Sequence, residues 1–249
     1  DHLDLHSFPT RRSSDLVEPD EVLTVTLSDP LGPGSSYLIT PAAQMAITND
    51  DSAGVILDPT GSLTTTESGG TATLAVRLNS QPTASVTITL VSADTGEGVI
   101  SPAALVFNPA NWSTIQTVTI TGQDDLVADG DIAYTVQIGI TSSDADYSSL
   151  DPADVNLTNL DDDIAGYSFN PASFSLIEGT SQVVSLTLGT QPTADVTLNL
   201  ISSDTSACTV SPASVTLTAA TWRNGASFTV SGVDDDLDDE DQPCTIVTT

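Results

Sequence analysis

The chain of 249 residues carries 34 acidic and 4 basic side chains, a formal net charge of −30, and 39% of its residues are hydrophobic. Nucleic acids and anionic membrane surfaces repel so negative a protein, so neither is expected as a partner. The hydrophobic residues alternate regularly and no apolar run reaches about 20 residues. The pattern therefore predicts neither a disordered chain nor membrane insertion.

The first 16 residues differ in composition from everything that follows. They contain both histidines and two of the four arginines. This stretch resembles translated sequencing-adapter sequence, so we exclude it from the fold as one would a tag, and we expect it to be disordered. A genuine basic leader is the alternative. Without this stretch the chain has two arginines and no histidine.

From Val17 onwards the pattern is that of β-strands and turns. Apolar residues occupy alternate positions in successive runs, at Leu23, Val25 and Leu27, at Leu74, Val76 and Leu78, and at Val86, Ile88 and Leu90. The intervening positions are mostly threonine, Pro and Gly clusters interrupt the runs, and no segment has a helical period. Short strands at this spacing predict an all-β fold of antiparallel sandwiches or barrels.

An internal repeat with an offset of 110 residues defines the domain plan. Residues 81–84 (QPTA) return at 191–194, Trp112 returns as Trp222, and the pair Asp124-Asp125 returns as Asp234-Asp235. The run 48–54 resembles 158–166, and both runs are interpreted as domain ends. We therefore predict a complete repeat at 53–163, a C-terminal two-strand remnant of another at 17–52, and a repeat lacking its last strand at 164–249. The chain is interpreted as part of a longer tandem array.

Two acidic loops, residues 122–131 and 232–241, follow strand-like runs in equivalent places. Two unit charges 4 Å apart repel by about 4 kcal/mol at an effective dielectric near 20, so such a loop is either fully solvated or neutralised by a cation. Oxygen-only ligands favour a hard cation, Ca²⁺ before Mg²⁺. An EF-hand does not fit, because a loop starting at Asp125 would place Val136 at its bidentate position. The isolated Asp144, Asp146, Asp151 and Asp154 are interpreted as ordinary turn residues.

The acidic loop at 122–131 is followed one strand pair later by the terminal acidic cluster 161–163, and this pattern resembles Calx-beta repeats. Those are the immunoglobulin-like calcium-binding sandwiches of sodium–calcium exchangers, with similar arrays in bacterial surface proteins. The resemblance covers residues 17–249 and implies tandem immunoglobulin-like antiparallel β-sandwiches, one complete and two truncated. It also implies Ca²⁺ at one end of each sandwich.

The resemblance implies two sets of calcium ligands. The first set comprises Glu67, Asp94, Asp124, Asp125, the carbonyl of Val127, Asp129, Asp161, Asp162 and Asp163. The second comprises Glu178, Asp204, Asp234, Asp235, the carbonyl of Leu237 and Asp239, without a closing cluster. In the remnant only Glu18, Glu21, Asp50 and Asp51 survive, and little binding is expected there.

The two cysteines and two tryptophans leave alternatives open. Cys208 and Cys244 fall on elements that neighbour each other in immunoglobulin-like sheets, so they form either a disulfide or two buried free thiols. The complete repeat has Gly98 and Tyr134 at these places. Trp112 and Trp222 are interpreted as packing residues, and stacking on a carbohydrate is the alternative.

No catalytic constellation is present. Without a histidine after residue 16 there is no Ser-His-Asp or Cys-His site, and neither a nucleophile elbow nor a phosphate-binding glycine loop occurs. We therefore expect a non-enzymatic, extracellular calcium-binding array that stiffens a larger bacterial surface or secreted protein. Its expected partners are calcium ions and neighbouring repeats. The alternatives are a calcium-independent spacer, an adhesive module that binds glycans or cell-surface proteins, and the non-catalytic part of a secreted hydrolase.

Overall fold

The computed structural model describes residues 21–24, 44–59, 61–236 and 240–249, and for the strands at 21–24 and 44–47 it describes the backbone course only. Residues 1–16, Leu237 and Asp239 therefore lie outside the described residues, and their interpretations stay predictions. Strands β1 (Glu21–Thr24) and β2 (Gln44–Ile47) pair antiparallel as a sheet of two.

The next nine strands form two antiparallel sheets that we call the first sandwich. They are β3 (Val55–Pro59), β4 (Thr64–Thr66), β5 (Thr71–Leu78), β6 (Val86–Ser92), β7 (Gly98–Ser101), β8 (Ala104–Phe107), β9 (Gln116–Gly122), β10 (Ile132–Ser142) and β11 (Val155–Leu160). One sheet has the order β3-β5-β9-β7 and the other the order β4-β11-β10-β6-β8.

The second sandwich repeats this order with fewer strands. It consists of β12 (Tyr167–Asn170), β13 (Ser181–Leu188), β14 (Val196–Ser202), β15 (Cys208–Ser211), β16 (Ser214–Leu217), β17 (Ala226–Gly232) and β18 (Ile246–Thr248). Its sheets have the orders β12-β13-β17-β15 and β16-β14-β18. Within the described part of residues 164–249, no strand corresponds to β4 or β11. The prediction of an all-β fold with antiparallel sheets is confirmed.

Each sandwich has its own hydrophobic core, built from the alternating positions that the sequence marks. In the first, Leu74, Val76 and Ile120 of one sheet meet Ile88 and Val136 of the other, all of them almost fully buried. In the second, Leu186 and Phe228 meet Leu200 and Leu217. By contacts the chain divides into two compact units, and residues 65–70, 122–133 and 158–249 make up the second. The predicted boundaries at 52/53 and 163/164 stay predictions.

One short helix departs from the sequence expectation. Helix α1 (Ala145–Ser148) is a single turn whose N-cap is Asp144, and the carboxylate of Asp144 accepts hydrogen bonds from Asp146 N–H and from Thr83 N–H and Oγ1. Asp144 makes the local turn contact expected of it, to Asp146 N–H, but its side chain is also only 6% exposed and bonded to Thr83, which the sequence did not indicate. A single turn is too short to leave a periodic pattern.

Asp154 also has a structural contact, since its Oδ1 accepts a hydrogen bond from Ile138 N–H at 2.9 Å.

No helix among the described residues is long and apolar enough to cross a bilayer.

Candidate metal site

Glu67 is the buried acidic residue of the site. It directly follows β4, and its N–H donates to the Leu160 carbonyl at the end of β11 at 3.0 Å, which turns the side chain inwards. The residue is only 4% exposed. Its Oε2 atom is buried and has no hydrogen-bond partner. A buried carboxylate oxygen without a partner is costly, so this atom needs either a proton or a cation.

The acidic loop is brought beside Glu67 by the glycine at the end of β9. Gly122 N–H donates to the Gly70 carbonyl at 3.0 Å, so the chain passes close to the turn that carries Glu67. A Cβ added at Gly122 would collide with the Thr66 carbonyl oxygen. Only glycine permits this approach of two backbones, and Asp124 and Asp125 therefore begin next to Glu67.

The closing segment, residues 161–163, is hydrogen-bonded to the acidic loop through Asp161. Its Oδ2 accepts from Gly130 N–H at 2.7 Å, and its Oδ1 accepts from Asp163 N–H at 2.8 Å. In the other direction, Asp161 N–H donates to Asp131 Oδ1 at 3.2 Å. Backbone N–H groups that donate hydrogen bonds to a carboxylate stabilise its charged form. Asp161 is therefore the residue that links the loop to the closing segment.

The structure brings five of the predicted ligands together in two groups that share Glu67. One group is Glu67, Asp161 and Asp163, and the other is Glu67, Asp124 and Asp162. In each group one carboxylate oxygen per residue lies within 4.8 Å of the others. Asp163 Oδ2 is, like Glu67 Oε2, buried without a hydrogen-bond partner. The two residues with an unpartnered oxygen, Glu67 and Asp163, are both members of the group of Glu67, Asp161 and Asp163.

The pKa values of these carboxyls report the crowding of charge. Burial, followed by the charges of Asp161 and Asp125, raises the pKa of Glu67 to about 7. Burial and then the charge of Asp161 also raise the pKa of Asp163. The pKa of Asp161 is lowered, chiefly by the N–H groups of Asp163 and Gly130. Without a cation, Glu67 therefore carries a proton in part of the molecules at neutral pH.

The other predicted members of the first set have contacts of their own. Asp125 Oδ1 accepts from Val127 N–H at 2.7 Å, and the Val127 carbonyl accepts from Asp129 N–H at 3.0 Å. These bonds fold the acidic loop on itself. Asp94 lies in the other compact unit, where its Oδ1 accepts from Gly96 N–H at 2.9 Å. Their roles as ligands stay predictions.

Asn159 was not predicted from the sequence, although its side chain connects the segments that form the site. It is 1% exposed, its Oδ1 accepts from Thr65 Oγ1 at 2.9 Å, and its Nδ2 donates to the Gln123 carbonyl at 3.0 Å. The side chain thus joins β4, the start of the acidic loop and β11. Its recurrence as Asn49 in the run that resembles 158–166 was the available signal.

The second predicted set is arranged differently. Glu178 is exposed, and Asp234 lies against Gly179, whose added Cβ would be 3.6 Å from the Asp234 Cβ. Asp204 Oδ1 accepts from Ser206 N–H at 2.9 Å, the same kind of turn that Asp94 makes. Among the residues described, Glu178, Asp204, Asp234 and Asp235 belong to no carboxylate group of the kind that surrounds Glu67.

The structure distinguishes a disulfide from two free thiols for the cysteines, and it shows how the two tryptophans are packed. Cys208 and Cys244 form a disulfide with a Cα–Cα distance of 6.2 Å. At the equivalent place in the first sandwich, the ring of Tyr134 occupies the space that a Cβ at Gly98 would need. Trp222 is 7% exposed and Trp112 packs against the first core, so both are packing residues.

The chain is similar to several solved structures, but no protein family is identified for it. No protein-family model matches the sequence, and no curated protein matches it. The calcium-binding domain CBD12 of CALX1.1 is 15% identical, with 79% of this chain and 74% of that chain covered and a TM-score of 0.35. CBD12 from CALX1.2 is 14% identical over 74% and 76%, also with a TM-score of 0.35.

The Yersinia pseudotuberculosis adhesin InvE is 12% identical over 73% of this chain and 53% of that chain, with a TM-score of 0.29.

Proposed function

We propose that the chain is a non-enzymatic calcium-binding segment of an extracellular repeat array, and that the carboxylates around Glu67 hold the calcium. The observation that supports this most is the burial of Glu67 with one oxygen unpartnered, beside four aspartates of the acidic loop and closing segment. A protein that buries an acidic side chain among like charges needs a compensating positive charge. After residue 16 the basic residues are Arg77 and Arg223, and neither is among the residues that shift the pKa of Glu67.

The donor set selects the type of cation. Every available ligand atom is a carboxylate or carbonyl oxygen, the two cysteines form a disulfide, and oxygen ligands suit Ca²⁺, Mg²⁺ and Mn²⁺ rather than Zn²⁺ or Cu²⁺. Ca²⁺ accepts six to eight oxygens with relaxed geometry, whereas Mg²⁺ demands a near-ideal octahedron. Several flexible aspartates around one buried glutamate fit Ca²⁺ better.

Within this proposal each residue has a role. Glu67 belongs to both groups and would bridge two cation positions, one with Asp161 and Asp163 and one with Asp124 and Asp162. Asp125 and the Val127 carbonyl would complete the shell with solvent. Calcium supplies only charge and coordination here, so the consequence of binding is order in the acidic loop and closing segment rather than a reaction.

Binding would also stiffen residues beyond the loop. Within the second compact unit, the Leu126 carbonyl accepts a hydrogen bond from Gln191 N–H at 2.6 Å. An acidic loop that is ordered by calcium would present this carbonyl in one position, whereas a loop of repelling carboxylates would sample many. The disulfide fits an oxidising, extracellular setting.

Calorimetric titration of the full chain with Ca²⁺ after treatment with a chelator tests the proposal. We expect exothermic or endothermic binding heat and a melting temperature that rises with calcium, because a ligand that binds only the folded state stabilises it. Glu67→Gln should weaken binding at least about tenfold, since a loss of about 1.4 kcal/mol corresponds to that factor. Limited proteolysis of the acidic loop should slow when calcium is added.

Glu178→Gln is the matched control, because it makes the same change at the equivalent but exposed position. It should leave the Glu67-dependent heat intact. A flat titration together with an unchanged melting temperature would reject calcium binding and favour the calcium-independent spacer.

A further inference from the structure

β16 lies at the edge of its sheet, and among the described strands it pairs with β14 alone. Leu200 N–H donates to the Ala213 carbonyl at 2.8 Å, in the same register that pairs β14 with β16. Pairs that exchange backbone hydrogen bonds alternate along two antiparallel strands with pairs that do not. The N–H and C=O groups of Ser214 and Thr216 therefore point away from β14, towards the outer edge of the sheet.

In the first sandwich the corresponding edge is capped by side chains. β8 is the counterpart of β16 and also lies at the edge of its sheet, and Val106 takes the place of Thr216 at the offset of 110. The Val106 carbonyl accepts from Asn111 Nδ2 at 3.3 Å and from Gln116 Nε2 at 2.9 Å. Side-chain amides that occupy an edge carbonyl compete with an incoming strand for it, so the β8 edge is protected.

The β16 edge does not repeat this cap. At the offset of 110 the two amide side chains are replaced by Thr221 and Ala226. Ala226 has no side-chain donor, and Thr221 Oγ1 accepts from Thr218 N–H at 3.0 Å within its own turn. β16 itself contains neither a charged residue nor a proline, the residue types that commonly protect edge strands from pairing. Its outward backbone groups are therefore open to another strand.

The charge near β16 permits a second copy of this acidic chain to approach. The chain has a formal charge of −30, but residues 205–233, which include β16 and the turns on both sides of it, contain no acidic side chain. Arg223 is the single charged residue in this stretch. Like charges that a contact brings together repel each other. A contact between copies is therefore least opposed by charge where the facing strands carry none.

The outward groups of β16 are complementary to those of a second, antiparallel β16. With Val215 on a two-fold axis, Thr216 of each copy faces Ser214 of the other, and each such pair exchanges both backbone hydrogen bonds. The side chains of Ser214 and Thr216 are exposed, and small hydroxyl side chains pair favourably across neighbouring strands. The same edge can thus serve as donor and acceptor on both molecules.

We propose that two copies of this chain form a two-fold dimer by antiparallel pairing of β16 with β16. The sheets β16-β14-β18 of the two molecules become one continuous sheet, by the general mode in which a strand extends an exposed sheet edge. A two-fold contact uses the same edge on both molecules, so association stops at the dimer. The contact involves none of the carboxylates around Glu67 and is therefore independent of calcium.

Sedimentation equilibrium of the full chain in chelator tests the proposal, at about 0.5 M NaCl to screen the repulsion between copies. We expect a mass that rises with concentration from that of the monomer to that of the dimer and no further. Thr216→Pro removes an outward N–H without removing a bond to β14, and should weaken dimerisation at least about tenfold. Val106→Pro makes the same change at the capped edge of β8 and should dimerise like the parent chain.

Cross-linking tests the position of the two-fold axis without a proline. The Cα atoms of a facing pair that exchanges no hydrogen bonds lie about 4.5 Å apart, within reach of a disulfide. Val215→Cys should therefore give a covalent dimer on mild oxidation, whereas Leu105→Cys, at the equivalent buried place in β8, should not. A chain that stays monomeric up to about 1 mM overturns the proposal. So does a dimer that Thr216→Pro leaves unchanged or that Val215→Cys does not cross-link.

Discussion

The two equivalent glutamates show what the extra strands of the first sandwich contribute. Glu67 and Glu178 both precede the first long strand of their sheets, yet Glu67 is 4% exposed and Glu178 is exposed. Glu67 N–H is bonded to the last carbonyl of β11, and among the described residues no strand takes that place beside Glu178. The same residue type is thus a buried, unpartnered acid in one setting and a solvated one in the other.

The comparison teaches that an acidic loop alone does not make a site of this kind. The loops at 122–131 and 232–241 are similar in sequence, and the first is linked to a closing aspartate, because Asp161 Oδ2 accepts a hydrogen bond from Gly130 N–H. Residues 237–239 of the second loop lie outside the described residues. A carboxylate in solvent loses little by having no partner, whereas a buried one loses its hydration. Four experiments test this difference between the two sandwiches.

Leu157→Ala should have the largest effect, since it removes a buried side chain of β11. We expect a loss of about 2–5 kcal/mol in the free energy of unfolding of the first sandwich, measured by urea denaturation. Calcium binding should weaken as well, because β11 carries the carbonyl that orients Glu67. Val247→Ala, at a 44% exposed position of β18, is the control. Equal losses in the two variants would contradict the role given to β11.

Replacing both cysteines, Cys208→Ala with Cys244→Ala, should act on the second sandwich. Removal of a disulfide that closes a loop of this length costs about 2–4 kcal/mol, and urea denaturation of the double variant should show a weaker second transition. Gly98 and Tyr134 hold the equivalent place in the first sandwich by packing alone, so its unfolding should not change. A shift of the first transition instead would show that the two cores do not unfold separately.

Gly122→Ala should disturb the first site by steric overlap. The new Cβ would meet the Thr66 carbonyl oxygen, and overpacking of this kind costs about 1–3 kcal/mol. Thermal unfolding should report the loss, and calorimetry should show weaker calcium binding. Gly232→Ala is the matched control, since its nearest contact would be the Ile177 carbonyl at 3.2 Å in a turn that is more exposed. A milder effect at Gly122 than at Gly232 would contradict the close approach.

The pH dependence of Asp144 should give the smallest effect and again separate the two sandwiches. Burial raises the pKa of this carboxyl, but hydrogen bonds from Thr83, Asp146 and Tyr147 outweigh it, so the pKa is lowered below 3.8. The stabilisation is therefore present above pH 3.8 and is lost as the pH falls through the folded-state pKa. Denaturation at several pH values should show this loss in the parent chain but not in Asp144→Asn.

The strands and the acidic segments of the candidate site could be predicted from local signals, whereas the set of ligands was implied by the resemblance to Calx-beta repeats. Alternation marked the strands, and the acidic character of 122–131 and 161–163 is visible without a fold. Asn159 was missed since a lone asparagine in a strand has no chemical signature until its partners, Thr65 and Gln123, are known. The burial of Asp144 could not be predicted because its hydrogen-bond partner Thr83 lies 61 residues away in the sequence.

The all-β class, the 110-residue period and the oxygen-only character of the candidate ligands follow from residue types at short or regular spacing, so they can be predicted without a structure. Which carboxylates meet depends on the pairing of distant strands. Glu67 and Asp161 come together because β4 pairs with β11, and Asp124 joins them because Gly122 admits a close backbone approach. Burial and proximity depend on strand pairing between distant segments, so two glutamates with the same local sequence role end in different environments.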